Sequence, residues 1–257
     1  PFEIAKKAAQ EIAQKTGVES HDIALTLGSG WAKAADLIGE TIAEIPGSEI
    51  TGFSKPAVVG HVGTIRSIKL PNGKHALVIG ARTHYYENHG VRAVVHSVRT
   101  AAATGAKTMI LTNGAGGIKP EWAGGAAVLI SDHINLTANS PLEGATFIDL
   151  TDLYSKRLRD LAREVDPSLD EGVYVQFRGP HYETPAEVQM AKTNKPHQIN
   201  SEQAGQPLQK RPKVSIRKGS PLSFSPNSVS PKALHFQNQI LSCPKIEIEE
   251  ETLLSES

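Results

Sequence analysis

Apolar positions along the first three quarters of the chain switch repeatedly between helical and strand spacing. Phe2, Ala5, Ala9, Ile12 and Ala13 share one helical face, and Gly17 stops that helix. Ile23 to Leu27 reads as a short apolar strand, and Trp31 to Ile38 as a helix. Thr64 to Leu70 and His75 to Ala81 flank Pro71-Asn72-Gly73-Lys74, which predicts a hairpin. Val91, Val94, Val95, Val98 and Ala102 recur at helical spacing, and Thr108 to Thr112 and Ala127 to Ile130 read as strands. Tyr154, Leu158 and Leu161 mark a further helix, Val173 to Phe177 a strand, and Pro185 suits the first position of a helix. This succession predicts an α/β fold: a single-domain sandwich with a central mixed β-sheet flanked by helices.

The pattern stops at Thr193. Residues 1–193 hold 20 of the 22 glycines, whereas residues 194–257 hold 2 glycines, 7 of the 16 prolines and many Ser and Gln. That stretch has neither spacing and offers too little apolar surface to offset chain ordering, so it is expected to be disordered. The expected division is therefore a folded domain over 1–193 and a divergent tail over 194–257.

Charge adds mainly exclusions. Lys+Arg and Asp+Glu are both 27, so nothing in the bulk electrostatics suggests nucleic-acid binding. Cys243 is the single cysteine, which rules out a disulfide framework or a multi-Cys metal site within one chain and fits a cytoplasmic setting. No run approaches about 18 apolar residues, so no membrane span is expected. The N-terminus is amphipathic and of mixed charge, unlike a signal peptide, and Pro1 in place of Met points to a start that is missing or processed.

Candidate chemistry lies in the turns after the strands, at the edge where open α/β sheets bind ligands. The run Ala81-Arg82-Thr83-His84-Tyr85-Tyr86-Glu87 is either a binding crest, with Arg82 and His84 suited to an anion and Tyr86 and Glu87 to a hydroxyl-rich partner, or a polar surface loop. Leu27-Gly28-Ser29-Gly30 is either an anion cradle, Ser29 adding a hydroxyl, or a plain glycine turn. It is neither a Walker loop nor a dinucleotide fingerprint. Thr112-Asn113-Gly114-Ala115-Gly116-Gly117 leaves room for a ligand against backbone, or merely connects. In Gly179-Pro180-His181-Tyr182-Glu183-Thr184, an aromatic and a carboxylate suit a flat ring with N–H groups; alternatively, Glu183 serves a helix start. His61 in Gly60-His61-Val62-Gly63 fits a closing loop or a surface histidine, and His133 in Asp132-His133-Ile134-Asn135-Leu136 a ligand contact or a hydrogen-bonded structural histidine.

Taken in order, these motifs resemble the trimeric family of purine nucleoside phosphorylases, especially bacterial members specific for 6-oxopurines. The resemblance is nearly continuous over residues 1–193. It implies that phosphate attacks C1′ of a purine nucleoside, releasing base and ribose-1-phosphate, with no metal or organic cofactor and phosphate as co-substrate. It implies phosphate held by Ser29, Arg82, His84 and the backbone N–H of Gly114. Tyr86 would contact ribose, Tyr182 would pack on base and sugar, Ala115 would line the base, and Glu183 would accept from purine N–H groups. His84 and Glu183 would carry the catalysis. His61 would gate the site, and Phe147 would reach into a neighbouring subunit's site within a homotrimer.

Two departures stand out. Asn88 follows Glu87 where the family usually has Gly. Residues 194–257 contain neither the family's Met-Ser strand end, nor its Thr-Asn pair, nor the later His that contacts the 5′-hydroxyl. Little or no activity is therefore expected of these 257 residues. The competing readings are a 5′-methylthioadenosine phosphorylase of the same fold, against which Glu183 argues, and a non-catalytic nucleoside- or phosphate-binding remnant.

Overall fold

The computed structural model describes residues 1–28, 31–53, 63–193, 198–200 and 239–242. Helix α1 (Phe2–Thr16) buries Ala5, Ala8, Ala9, Ile12 and Thr16, the i, i+3, i+4, i+7 stripe of an amphipathic helix. Gly17 ends it at φ 71°, its N–H reaching the Ala13 carbonyl at 2.9 Å. Phe2 lies off the stripe, exposed at the surface with the Arg99 guanidinium 5.3 Å from its ring centre.

Strands β1 (Ile23–Thr26), β2 (Glu40–Pro46), β3 (Thr64–Lys69), β4 (His75–Ile79) and β5 (Thr108–Asn113) form most of the main sheet. Its order is β10-β5-β1-β4-β3-β2, where β10 is Gln239–Ser242. The centre, β5-β1-β4, is parallel; β3 and β2 continue antiparallel, and β10 pairs antiparallel with β5. The expected mixed sheet is present. Both faces of β4 are covered, which is why its sequence is a continuous apolar run. Leu77 and Ile79 pack with Ala8, Ile12, Ile65 and Ala101 on one side; Ala76 and Val78 pack with Ile68 and Ala35 on the other. Each fully buried Leu or Ile contributes about 1.5–3 kcal/mol.

The hairpin between β3 and β4 closes at Gly73, at φ 81°, with Leu70 and Lys74 bonded across the turn. The segment expected to be a helix from Trp31 is a 3-10 helix over Ala32–Leu37. The valine-rich helix is broken into α2 (Val91–Val94) and α3 (His96–Ala103) at Val95.

A smaller sheet in the order β6-β9-β8-β7 comprises β6 (Gly116–Gly117), β7 (Val128–Asn135), β8 (Asp170–Gln176) and β9 (Gln198–Asn200). Helix α4 (Lys156–Val165) precedes β8 and α5 (Pro185–Thr193) follows it. Strands β9 and β10 fall within residues 194–257, the rest of which lie outside the described residues. β10 pairs at the edge of the main sheet and β9 between β6 and β8, both through backbone hydrogen bonds, to which side-chain periodicity is blind.

Candidate functional site

Three parallel neighbours end at one edge. Thr26 of β1 is in register with Ile79 of β4 on one side and Leu111 of β5 on the other. Adjacent strands lie about 4.8 Å apart, so the turns that follow emerge side by side: Gly28 in the middle, Arg82 and His84 to one flank, Gly114 and Ala115 to the other. Gly28 and β5 are in direct contact. The Gly28 N–H donates to Thr112 Oγ1 at 2.9 Å, and that hydroxyl donates to the Thr26 carbonyl at 3.1 Å. A Cβ on Gly28 would sit 2.7 Å from the Thr112 carbonyl oxygen, so this position requires glycine for space. Ser29 and His61 lie outside the described residues.

The Arg82–His84 flank carries a directional hydrogen-bond chain. Arg82 Nε–H donates to His84 Nε2 at 3.2 Å, making that nitrogen the acceptor. The ring proton therefore belongs on Nδ1, which donates to Glu87 Oε1 at 2.7 Å; the same oxygen accepts from the His84 backbone N–H at 2.9 Å. Burial of the Glu87 carboxyl acts to raise its pKa, but the two bonds from His84 outweigh it and hold the group below its usual range. Glu87 thus fixes the ring of His84 through Oε1. Tyr86 stacks on His84, with ring centres 5.0 Å apart and planes 12° from parallel. The guanidinium N–H groups not given to His84 suit the charged oxygens of an oxyanion, while Nε2 is occupied by the Arg82 N–H.

Asn88 occupies the left-handed region at φ 59°, capping the Tyr85–Glu87 turn. A position that glycine fits is filled by the side chain that best tolerates it, so the loop keeps its shape.

On the other flank, the chain leaves β5 of the main sheet for β6 of the second. Asn113 Nδ2 donates to the Tyr174 hydroxyl of β8 at 2.8 Å, and Ala115 is fully buried with Ile130 and Tyr174. The exit of β8 carries Tyr182, about half exposed, and Glu183, which is only 4% exposed. Helix α5 is capped reciprocally by Thr184 and Glu187: Thr184 N–H donates to Glu187 Oε2 at 2.6 Å, and Glu187 N–H to Thr184 Oγ1 at 3.3 Å. His133 is held by Tyr154, whose hydroxyl lies 3.1 Å from Nδ1, in line with its structural reading. Phe147 is 94% exposed, with Ile148 and Leu150 also largely exposed.

Thr112, Asn113 and Tyr174 were given no part in the site by sequence reasoning. For Thr112 and Asn113 the available signal was polarity at the end of an otherwise apolar strand. Among the described residues no group of three or more His, Cys, Asp or Glu is placed to hold a metal, and no helix is long and apolar enough to cross a membrane.

Adjacent parallel strands that end in glycine turns and an Arg–His array place the chain among α/β proteins with a candidate anion site at the strand ends. Residues 22–202 match the family model described as the phosphorylase superfamily. The chain is 66% identical over 195 residues to a purine nucleoside phosphorylase of Cellulomonas sp., covering 74% of this chain and 69% of that protein. It is 53% identical over 194 residues to one from Mycobacterium tuberculosis, covering 75% and 72%. A crystal structure of Schistosoma mansoni purine nucleoside phosphorylase in complex with inosine superposes with a TM-score of 0.70 at 31% identity, covering 77% of this chain and 74% of that one. The chain belongs to the phosphorylase superfamily and, within it, to the purine nucleoside phosphorylases.

Proposed function

We propose that the site binds inorganic phosphate beneath a 6-oxopurine nucleoside, inosine or guanosine or their deoxy forms, and is built for phosphorolysis to free base and (deoxy)ribose-1-phosphate. The single observation carrying this is the emergence of the Gly28, Arg82–His84 and Gly114 turns from three adjacent parallel strand ends. In this reading Ser29, Arg82, His84 and the Gly114 N–H clasp phosphate. Tyr86 positions ribose, Ala115 and Tyr182 line the base, and His61 closes over it.

The reaction passes through a ribosyl cation between phosphate and departing purine, so the protein must hold phosphate under C1′ and stabilise charge on the base. On phosphate binding His84, oriented by Glu87, exchanges the Arg82 N–H at Nε2 for the phosphate hydroxyl. Glu183 accepts from the ring N–H that only 6-oxopurines carry at N1, which disfavours 5′-methylthioadenosine. Inorganic phosphate is the co-substrate and no cofactor takes part. The exposed Phe147, Ile148 and Leu150 support a homotrimer in which Phe147 covers a neighbour's ribose. We place the reaction in cytoplasmic purine salvage.

Residues 194–257 supply no Met-Ser or Thr-Asn pair, so the purine side is short of donors in this reading, and loss of one such donor costs about 2.7–4 kcal/mol of transition-state stabilisation. The 257-residue chain should turn over inosine at least about 100-fold more slowly than the Cellulomonas relative. A chimera of residues 1–193 with that relative's continuation should recover phosphorolysis of inosine and remain poor on methylthioadenosine. Full turnover by the unmodified chain refutes the tail's part in the account. A folded chimera inert toward inosine refutes the assignment of 1–193.

A further inference from the structure

The turn over Tyr85–Glu87 buries none of its residues, so apolar packing does not explain how it holds Arg82 and His84 in place. Glu87 is bonded within the turn itself. Tyr85 reaches outward. Its hydroxyl accepts from Asn139 Nδ2 at 2.6 Å, and the Arg178 guanidinium carbon lies 5.9 Å from its ring centre, within cation–π range.

Both partners are themselves anchored near strand ends. Asn139 donates through the same Nδ2 to the Thr137 carbonyl at 2.9 Å, and its own carbonyl accepts from Asn135 Nδ2 at 2.8 Å; Asn135 is the last residue of β7. Arg178 lies two residues beyond β8, on the segment leading to Tyr182 and Glu183. Tyr85 therefore joins three loops: the Arg82–His84 loop, the segment after β7 and the exit of β8.

We infer that Tyr85 is a positioning residue: clamped by Asn139 and Arg178, it sets the Arg82–His84 loop in the geometry that grips phosphate. Tyr85 touches no reacting atom; it acts through its backbone neighbours His84 and Tyr86, whose rings stack. This inference rests on the phosphate-site reading above.

The test is calorimetric titration of inorganic phosphate into the full chain and into Tyr85→Phe, Asn139→Ala, the double variant and Arg82→Ala, with Tm measured on each. Tyr85→Phe keeps the ring over Arg178 and removes only the hydroxyl at an exposed bond, so folding is preserved. Expected are phosphate affinities about two- to tenfold weaker in each single variant, no further loss in the double variant, and unchanged Tm. Wild-type affinity in Tyr85→Phe alongside lost affinity in Arg82→Ala overturns the clamp and leaves the phosphate site standing. Losses that add in the double variant, with Tm falling in step, show Tyr85 to be merely structural and also overturn it. A wild-type chain that takes up no phosphate overturns both readings.

Discussion

Replacing Gly28 by Ala tests the closeness of the two central turns. The added methyl would lie 2.7 Å from the Thr112 carbonyl oxygen and 3.2 Å from Asn113 Cα. Both are backbone atoms, and they belong to a strand held on one side by β1 through four paired residues, so no side-chain rotation relieves the clash. Overpacking of this kind costs about 1–3 kcal/mol. The displacement also stretches the 2.9 Å bond from the Gly28 N–H to Thr112 Oγ1, worth about 1 kcal/mol. Together these give roughly 2–4 kcal/mol, and at about 2–4 °C per kcal/mol a fall in Tm of roughly 5–15 °C. Gly73→Ala is the control: at φ 81° with nothing within 4 Å of the new Cβ, it carries backbone strain alone, about 1–2 kcal/mol. Scanning fluorimetry with and without phosphate reads both quantities. Gly28→Ala should show the larger fall in Tm and lose all phosphate-induced protection, while Gly73→Ala keeps the protection. A Gly28→Ala chain that melts with Gly73→Ala and is still protected by phosphate would show that the β1 and β5 turns do not meet as described.

Further consequences follow from the same geometry. Glu87→Gln removes the charge that holds the proton on His84 Nδ1 and should weaken phosphate about tenfold in a binding titration; undiminished affinity would separate Glu87 from the site. Asn88→Ala places an ordinary side chain at φ 59° and should cost about 1–2 kcal/mol by urea denaturation, whereas Asn88→Gly should be neutral within about 0.5 kcal/mol. His21 is 2% exposed, with Nε2 2.9 Å from Ser67 Oγ; burial first, then repulsion from His75, pushes its pKa from 6.5 down to about 4. The folded chain therefore binds fewer protons than the unfolded one, and the stability associated with neutral His21 is full above 6.5 and lost as pH falls toward 4. The difference is at most about 3 kcal/mol between pH 7 and 4, and a His21→Gln chain should lose that part of the pH slope in urea titrations. An unchanged slope in the variant would assign the dependence to other groups.

The residues differ in how much they disclose unaided. The buried strands β1, β4 and β5 are legible because both faces are apolar, and Gly17, Gly73 and Pro185 punctuate as their backbone chemistry dictates. Edge strand β2 was not, since most of Glu40–Pro46 is exposed and lacks a clean alternation. The strands at 198–200 and 239–242 pair through backbone groups that composition does not register. In the site, Arg82 and His84 were legible because polar residues crowd the end of an apolar strand. Glu87 was visible, but its partner was not, because a carboxylate three residues on from a histidine faces it only once the turn between them is known. Thr112, Asn113 and Tyr174 act across contacts between β5 and its neighbours, β1 and β8, far apart in sequence.

The most direct measurement is a crystal structure of the chain grown with inorganic phosphate. One phosphate per chain should lie against the turn after Gly28, with its oxygens within hydrogen-bond distance of the Arg82 guanidinium, His84 Nε2 and the Gly114 N–H. Phosphate bound elsewhere, or Arg82, His84 and Gly114 too far apart to touch one ion, would contradict the account.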